Sequence, residues 1–325
     1  MPIDTIFNIS TEAAFNAMAL KTFGIQYHGN LVYQEFCRHL GKDESTVKRI
    51  EDIPFLPIEF FKTKKVVTGY FAPQIIFTSS GTTGSEVSQH YVQSSELYEN
   101  SYLTAFKQFY GDIADYCVLA LLPSYLEREG SSLIYMAHDL ILKSNHPDSG
   151  FYLDDIDRLK KTLVKLDSSG TKILLLGVSF ALLDMAEQYQ LNLKNTIIME
   201  TGGMKGRKKE LIREELHGLL KTGFGVPNIH SEYGMTELLS QAYSQGDGRF
   251  FAPKWMKVLT RETEDPLSLQ EAGKTGGVNV IDLANINSCS FIATQDLGKV
   301  YSDGSFEILG RFDNSDIRGC NLMVL

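Results

Sequence analysis

Between residues 74 and 221, short apolar runs alternate with longer amphipathic stretches, and that alternation constrains the fold more than any other feature of the chain. The runs at 74–78, 116–122, 172–177 and 196–200 have the character of buried parallel strands. The stretches at 94–110, 131–143, 154–167, 179–190 and 204–221 place their apolar residues at helical spacing. Together they predict an α/β domain whose sheet is covered on both faces. After about residue 240 the helical period fades. Gly277–Leu283, Ser290–Thr294 and Ser305–Leu309 are separated by Gly, Asp and Asn turns, which predicts antiparallel β structure.

Ahead of this core, residues 10–50 read as helical, with Ala13, Ala14, Ala17 and Leu20, then Leu31, Phe36 and Leu40, in phase and Ser10 as N-cap. Pro54–Lys62 differs, because its two prolines exclude a helix interior. Its large apolar side chains predict an extended segment packed on the body. No internal repeat or low-complexity linker is visible. The expectation is one domain over 1–325, with a helical and extended part (1–73), an α/β core (74–240) and a β-rich part (241–325).

The 325 residues are 43% hydrophobic and 22% charged, a globular mixture long enough to bury a real core. With 31 basic against 40 acidic residues the net charge is -9, so the broad positive field needed to bind a nucleic-acid backbone is missing. Any anionic ligand must be held by local donors. Cys37, Cys117, Cys289 and Cys320 form no C-x-x-C pair, which argues against a zinc knuckle or a disulfide scaffold. Met1–Asp4 does not begin a signal peptide, and the longest apolar runs, Ile173–Leu183 and Cys117–Leu122, fall short of the roughly 20 residues of a membrane span. A cytoplasmic location follows as an expectation.

Three segments could carry chemistry. Ile75–Ser85 runs from an apolar strand into hydroxyl residues and two glycines, whose N–H groups and hydroxyls can cradle phosphate oxygens. The same composition also makes an ordinary surface turn. It is not a Walker A loop; Gly273-Lys274-Thr275 comes nearest, but Ser268 stands where the first glycine belongs. Ile229–Glu237 gathers an aromatic ring, glycine, hydroxyl and carboxylate, which suits a nucleotide with its metal and equally a capped helix start. In Thr294–Gly298, followed by Gly310–Asp313, a carboxylate at a strand end could accept both hydroxyls of a ribose, and an arginine could reach sugar or phosphate. Each also occurs as a plain β-turn.

The ordered set T-S-S-G-T-T-G (78–84), G-G (202–203), Y-G-M-T-E (233–237), T-x-D (294–296) and G-R-x-D (310–313) resembles the adenylate-forming superfamily of acyl-CoA ligases, luciferases and adenylation domains. Within it, P-F-L-P-I-E-F-F-K (54–62) and G-R-F-D-N-S-D-I-R-G-C-N-L-M (310–323) resemble the LuxE-type acyl-protein synthetase family, the fatty-acid activating components of luminescence reductase complexes and their relatives. Two departures from the superfamily stand out. Gly84 is followed by Ser85-Glu86-Val87 rather than x-P-K, and Gln295 replaces the glycine of T-G-D.

The resemblance implies the fold of an adenylate-forming large domain, with helices covering its sheets, a β-rich C-terminal portion and no small C-terminal lid domain. It implies ATP and magnesium as cofactors. Thr78, Ser79, Ser80, Gly81, Thr82, Thr83 and Gly84 would grip the phosphates, and Thr201, Gly202 and Gly203 would wall the adenine pocket. Tyr233 and Gly234 would flank the base, Thr236 would bond the α-phosphate and Glu237 would hold the metal. Asp296 would take the ribose, supported by Arg311.

The implied reaction turns a carboxylic acid, fatty in this family, into an acyl-adenylate and then a thioester on Cys320, for transfer to an acyl-CoA reductase-like or acyl-carrier partner. Arg318 would favour the Cys320 thiolate. His230 and His90 could steer phosphate or carboxylate, or simply be satisfied polar groups. Lys205, Arg207, Lys208 and Lys209 read as a solvated face or a docking surface for a carrier. Coenzyme A as acceptor and a non-catalytic nucleotide-binding subunit are the alternatives.

Overall fold

The computed structural model describes residues 4–79, 86–122, 130–153, 155–202 and 211–311. Its helices are α1 (Asp4–Phe7), α2 (Glu12–Gly29), α3 (Leu31–His39), α4 (Phe60–Thr63), α5 (Ser95–Tyr110), α6 (Ser132–Ser144), α7 (Ile156–Ser168), α8 (Ser179–Gln188) and α9 (Arg213–Phe224). Its strands open with β1 (Leu56–Pro57), β2 (Ile75–Thr78), β3 (Gln89–Val92), β4 (Cys117–Leu121), β5 (Gly150–Phe151), β6 (Ile173–Val178) and β7 (Thr196–Thr201). They continue with β8 (His230–Tyr233), β9 (Ala242–Ser244), β10 (Phe250–Phe251), β11 (Met256–Arg261), β12 (Thr275–Asp282), β13 (Phe291–Val300) and β14 (Phe306–Arg311). The chain folds as two compact units: Met1–Ser101, Thr236–Ser240 and Phe251–Leu325 form the first, and Tyr102–Met235 with Gln241–Phe250 the second.

The second unit is the α/β part. β5, β4, β6, β7 and β8 run parallel in that order, and β9 closes antiparallel on β8. Every residue of β4 and β6 is buried, which is why both read as unbroken apolar runs. Helix α7 buries a single stripe, Leu159, Leu163 and Leu166, and the Asp155 carboxylate caps its start by accepting from the Arg158 N–H at 2.9 Å.

The first unit is built on the antiparallel order β11-β12-β13-β14. The first half of β13 also pairs with β1 in parallel, Leu56 opposite Ile292 and Pro57 opposite Ala293, and the Ile58 N–H extends the ladder to the Ala293 carbonyl at 3.0 Å. Proline fits here because the short strand lies at an edge, where its missing donor costs nothing. Helix α2 is pinned to the turn before β13 by Gln26, whose amide donates to the Asn285 carbonyl (3.0 Å) and accepts from the Ser290 N–H (2.9 Å).

Several expectations are corrected. The 74–78 run is not a buried parallel strand: β2 pairs antiparallel with β3 in its own hairpin, with Phe77 its one buried residue. The helical reading of 10–50 breaks into two helices, because Asn30 ends α2 and its side chain caps α3 through the Tyr33 N–H at 3.0 Å. Thr11, not Ser10, is the N-cap, accepting from the Ala14 N–H at 3.2 Å. The 54–62 segment turns helical at Phe60 once its second proline is passed. The helix expected over 204–221 is α9, which begins at Arg213; residues 203–210 lie outside the described residues.

Candidate functional site

In the first unit, the Thr236–Ser240 segment is held by groups distant in sequence. The Asp282 carboxylate accepts from the N–H groups of Leu239 and Ser240, both at 2.9 Å, and from the Ser240 hydroxyl at 2.6 Å. The Asn285 amide donates to the Glu237 carbonyl at 2.7 Å. His90 closes the other side, its Nδ1 lying 2.9 Å from the Thr236 carbonyl. A carbonyl only accepts, so Nδ1 carries the hydrogen. Burial pulls the His90 pKa down to about 4, so the ring is neutral and works as a positional clamp.

Thr78 ends β2 opposite Gln89, and just beyond it the Ser79 N–H donates to the Ser88 carbonyl at 3.1 Å. Ser88 also reaches Glu237, so the Glu237 carboxyl packs against the β2–β3 hairpin. Burial raises the Glu237 pKa against the opposing pull of Ser88, Arg311 and Lys62. A buried carboxyl in that position gains from any further cation placed beside it.

T-Q-D and G-R lie on paired strands. Asp296 of β13 sits directly opposite Arg311 of β14, with Nε of Arg311 3.4 Å from the Asp296 carboxylate. Asp296 is only 7% exposed. Its neighbour Gln295 donates to the Glu59 carboxylate at 2.6 Å, so Pro54–Lys62 delivers a residue to the strand that carries Asp296. Arg261, at the end of β11, is also buried here and donates to the Thr294 carbonyl at 2.6 Å.

The second unit carries Thr201, Gly202, His230, Tyr233 and Gly234. Glu200 is buried between the hydroxyls of Ser179 (2.7 Å) and Ser231 (2.9 Å). Burial pushes its pKa up, but His217, Arg213 and Ser179 outweigh that and hold it low. The Ser179 hydroxyl also lies 2.6 Å from the Gly202 carbonyl, which ties the end of β7 to the start of α8.

Thr201 donates to the Glu232 carboxylate. Burial, with Glu200 adding repulsion, raises the Glu232 pKa to about 7. That carboxylate folds back over Gly234, so a side chain at that position would have to displace the end of the Glu232 side chain. Tyr233 is buried, its ring edge-on to Phe250 at 5.9 Å. His230 faces the Tyr110 hydroxyl at 3.2 Å, and burial lowers its pKa to about 4, so it too is neutral.

The structure thus brings Thr78, Ser79, Thr236, Glu237, Asp296 and Arg311 into the first unit, and the Thr201, Gly202, His230, Tyr233 and Gly234 group into the second. Ser80, Gly81, Thr82, Thr83, Gly84, Gly203, Cys320 and the Lys205–Lys209 run lie outside the described residues. Motif reading passes over Glu232, Arg261, Asp282 and Asn285. Asp282 and Asn285 are polar residues in a largely apolar stretch, whereas Glu232 and Arg261 stand among polar neighbours, and nothing nearby in sequence names the partner of any of them. No described helix is long and apolar enough to cross a membrane.

The model of the family described as acyl-protein synthetase, LuxE, matches residues 7–325. A Vibrio harveyi protein named long-chain-fatty-acid–luciferin-component ligase is 26% identical over 322 residues, covering 91% of this chain and 83% of that protein. Among solved structures, the open conformation of 2-hydroxyisobutyryl-CoA ligase, in complex with 2-HIB-AMP and CoA, superposes with a TM-score of 0.68. It is 11% identical, with 93% of this chain and 70% of that one covered. ATP-bound MatB from Rhodopseudomonas palustris gives a TM-score of 0.56 at 17% identity over 73% of this chain. The chain spans about half the length of MatB, 47%. Both similarities establish the fold, that of the adenylate-forming enzymes.

Proposed function

This chain belongs to the acyl-protein synthetase family, LuxE, and from that premise we propose that it uses ATP to activate a carboxylic acid, by preference a fatty acid, and then takes the acyl group onto Cys320. The observation that carries the reading is the family match over residues 7–325. The paired Asp296 and Arg311 and the clamped Thr236–Glu237 segment support it.

In the first step a carboxylate oxygen of the acid bonds to the α-phosphorus of ATP and pyrophosphate leaves. The chain's task is positioning and charge neutralisation. Asp296 accepts from the ribose hydroxyls, and Arg311, 3.4 Å away on the paired strand, holds that carboxylate in place. Thr236, with its carbonyl fixed by His90, directs its hydroxyl and N–H at the α-phosphate. Glu237 is a hard-oxygen ligand suited to magnesium, and its buried carboxyl is the kind of group a cation stabilises. When bound, the metal would neutralise phosphate charge.

In the second step the Cys320 thiolate bonds to the acyl carbon and AMP leaves, giving a thioester that a reductase or carrier partner can accept. With net charge -9 and no broad basic field, nucleotide binding rests on these local groups.

Two assays on one variant test the reading. Cys320→Ala retains acid-dependent ATP–pyrophosphate exchange and loses covalent labelling by radioactive fatty acid. Labelling that survives removes Cys320 from the reaction, and AMP release that depends on coenzyme A identifies a coenzyme A ligase instead.

A further inference from the structure

Arg261 is a buried cation that bridges two neighbouring strands. It is 6% exposed. Its Nη1 donates to the Val278 carbonyl (2.7 Å) and the Asn279 side chain (2.8 Å), while Nη2 donates to the Thr294 carbonyl (2.6 Å). Three acceptors on two neighbouring strands therefore share one planar guanidinium. Gly277 makes the space: a Cβ there would stand 2.7 Å from Cζ of Arg261. Gly277 and Asn279 also flank a register shift where β12 pairs with β13.

The junction carries Asp296. Thr294, held through its carbonyl by Arg261, uses its hydroxyl to donate to the Val278 carbonyl at 3.0 Å, and accepts from the Asp296 N–H at 3.1 Å. Glu59 and Asp296 are the carboxylates that favour the Arg261 charge against the cost of its burial. A buried arginine without such acceptors would be strongly destabilising. Here it sets the backbone from which the Asp296 carboxylate projects.

We propose that Arg261 is the positioning residue for nucleotide recognition by Asp296, fixing the Thr294–Asp296 backbone so that the carboxylate meets both ribose hydroxyls. The inference rests on the reading of Asp296 as the ribose acceptor. Lysine does not replace arginine in this role. A single ammonium cannot span Val278, Asn279 and Thr294 with the geometry of a planar fork.

The test compares binding of Mg-ATP and Mg-2′,3′-dideoxy-ATP to the full chain by calorimetry, because only the former offers ribose hydroxyls. Hydrogen bonds to a charged group predict that the wild type favours ATP by about tenfold or more. Asp296→Asn, Arg261→Lys and Arg261→Met should each bring the ratio of dissociation constants to within about threefold, by weakening ATP and leaving the dideoxy analogue nearly unchanged. Circular dichroism and thermal melting check that the variants fold. If the Arg261 variants do not, Asn279→Ala removes one acceptor of the fork and should lower the ratio part of the way.

Variants of Arg261 or Asn279 that fold and keep the wild-type ratio, while Asp296→Asn loses it, overturn the proposal and leave Asp296 as the ribose acceptor. Equal weakening of both nucleotides also overturns it, since that is a general structural effect. A wild type indifferent to the ribose hydroxyls, or a ratio unaltered in Asp296→Asn, overturns the ribose reading and the proposal with it.

Discussion

Glu232 is an acid whose carboxylate accepts from Thr201 on the neighbouring strand. In the unfolded chain it ionises near 4.5, whereas in the folded protein burial holds its proton until about pH 7. The proton's contribution to stability is therefore complete below the unfolded value and is lost as pH rises through the folded one. Glu232→Gln cannot ionise, so it should match the wild type at pH 3.5 and exceed it by about 3 kcal/mol at pH 8. Urea denaturation at both values measures the difference; equal pH dependence in the two proteins would refute the assignment. Y-G-M-T-E is visible in sequence as a cluster. Glu232 gains its character from burial, reinforced by repulsion from Glu200 and opposed by the Thr201 hydroxyl, both about thirty positions away on the next strand.

At the scale of elements, the Pro54–Lys62 segment links two parts of the candidate site within the first unit. β1 zips onto β13 beside Asp296, and α4 then buries Phe61 edge-on against the His90 ring at 5.8 Å. His90 in turn clamps Thr236. Phe61→Ala should cost about 3–5 kcal/mol from the cavity it leaves, read as a lowered urea midpoint, whereas Phe61→Leu should lose much less. The unusual composition of this segment was visible in sequence, and its extended start was expected. Its partner strand was not, because register is chosen by packing across more than 230 positions. The β2–β3 hairpin was missed for a related reason: a short, largely apolar run has the same appearance in a parallel core and in an isolated hairpin.

For the molecule as a whole, thiol chemistry separates structure from proposed catalysis. Cys37, Cys117 and Cys289 are free and fully buried. Burial pushes Cys37 up to about 12 and raises Cys117 and Cys289 as well, so none supplies a thiolate at neutral pH. Native Cys320→Ala should consequently give almost no rapid reaction with Ellman's reagent at pH 7.5, and three thiols after unfolding in guanidinium. Rapid native labelling of that variant would show that another cysteine can compete for the acyl group.

Alternating apolar runs, ordered motifs and an acidic balance were enough to indicate an α/β core, an antiparallel β portion and the enzyme family. All of these are local or compositional properties. They follow from side-chain periodicity and from residue types set at short spacing. The tertiary structure decided which distant groups meet: Asp296 with Arg311 across a ladder, Gln295 with Glu59, Thr236 with His90, and the Arg261 fork beneath Thr294. Hydrogen-bond partners and desolvation depend on where packing brings strands together. A charged residue in isolation does not reveal whether it will be solvated, clamped or made to hold another in place.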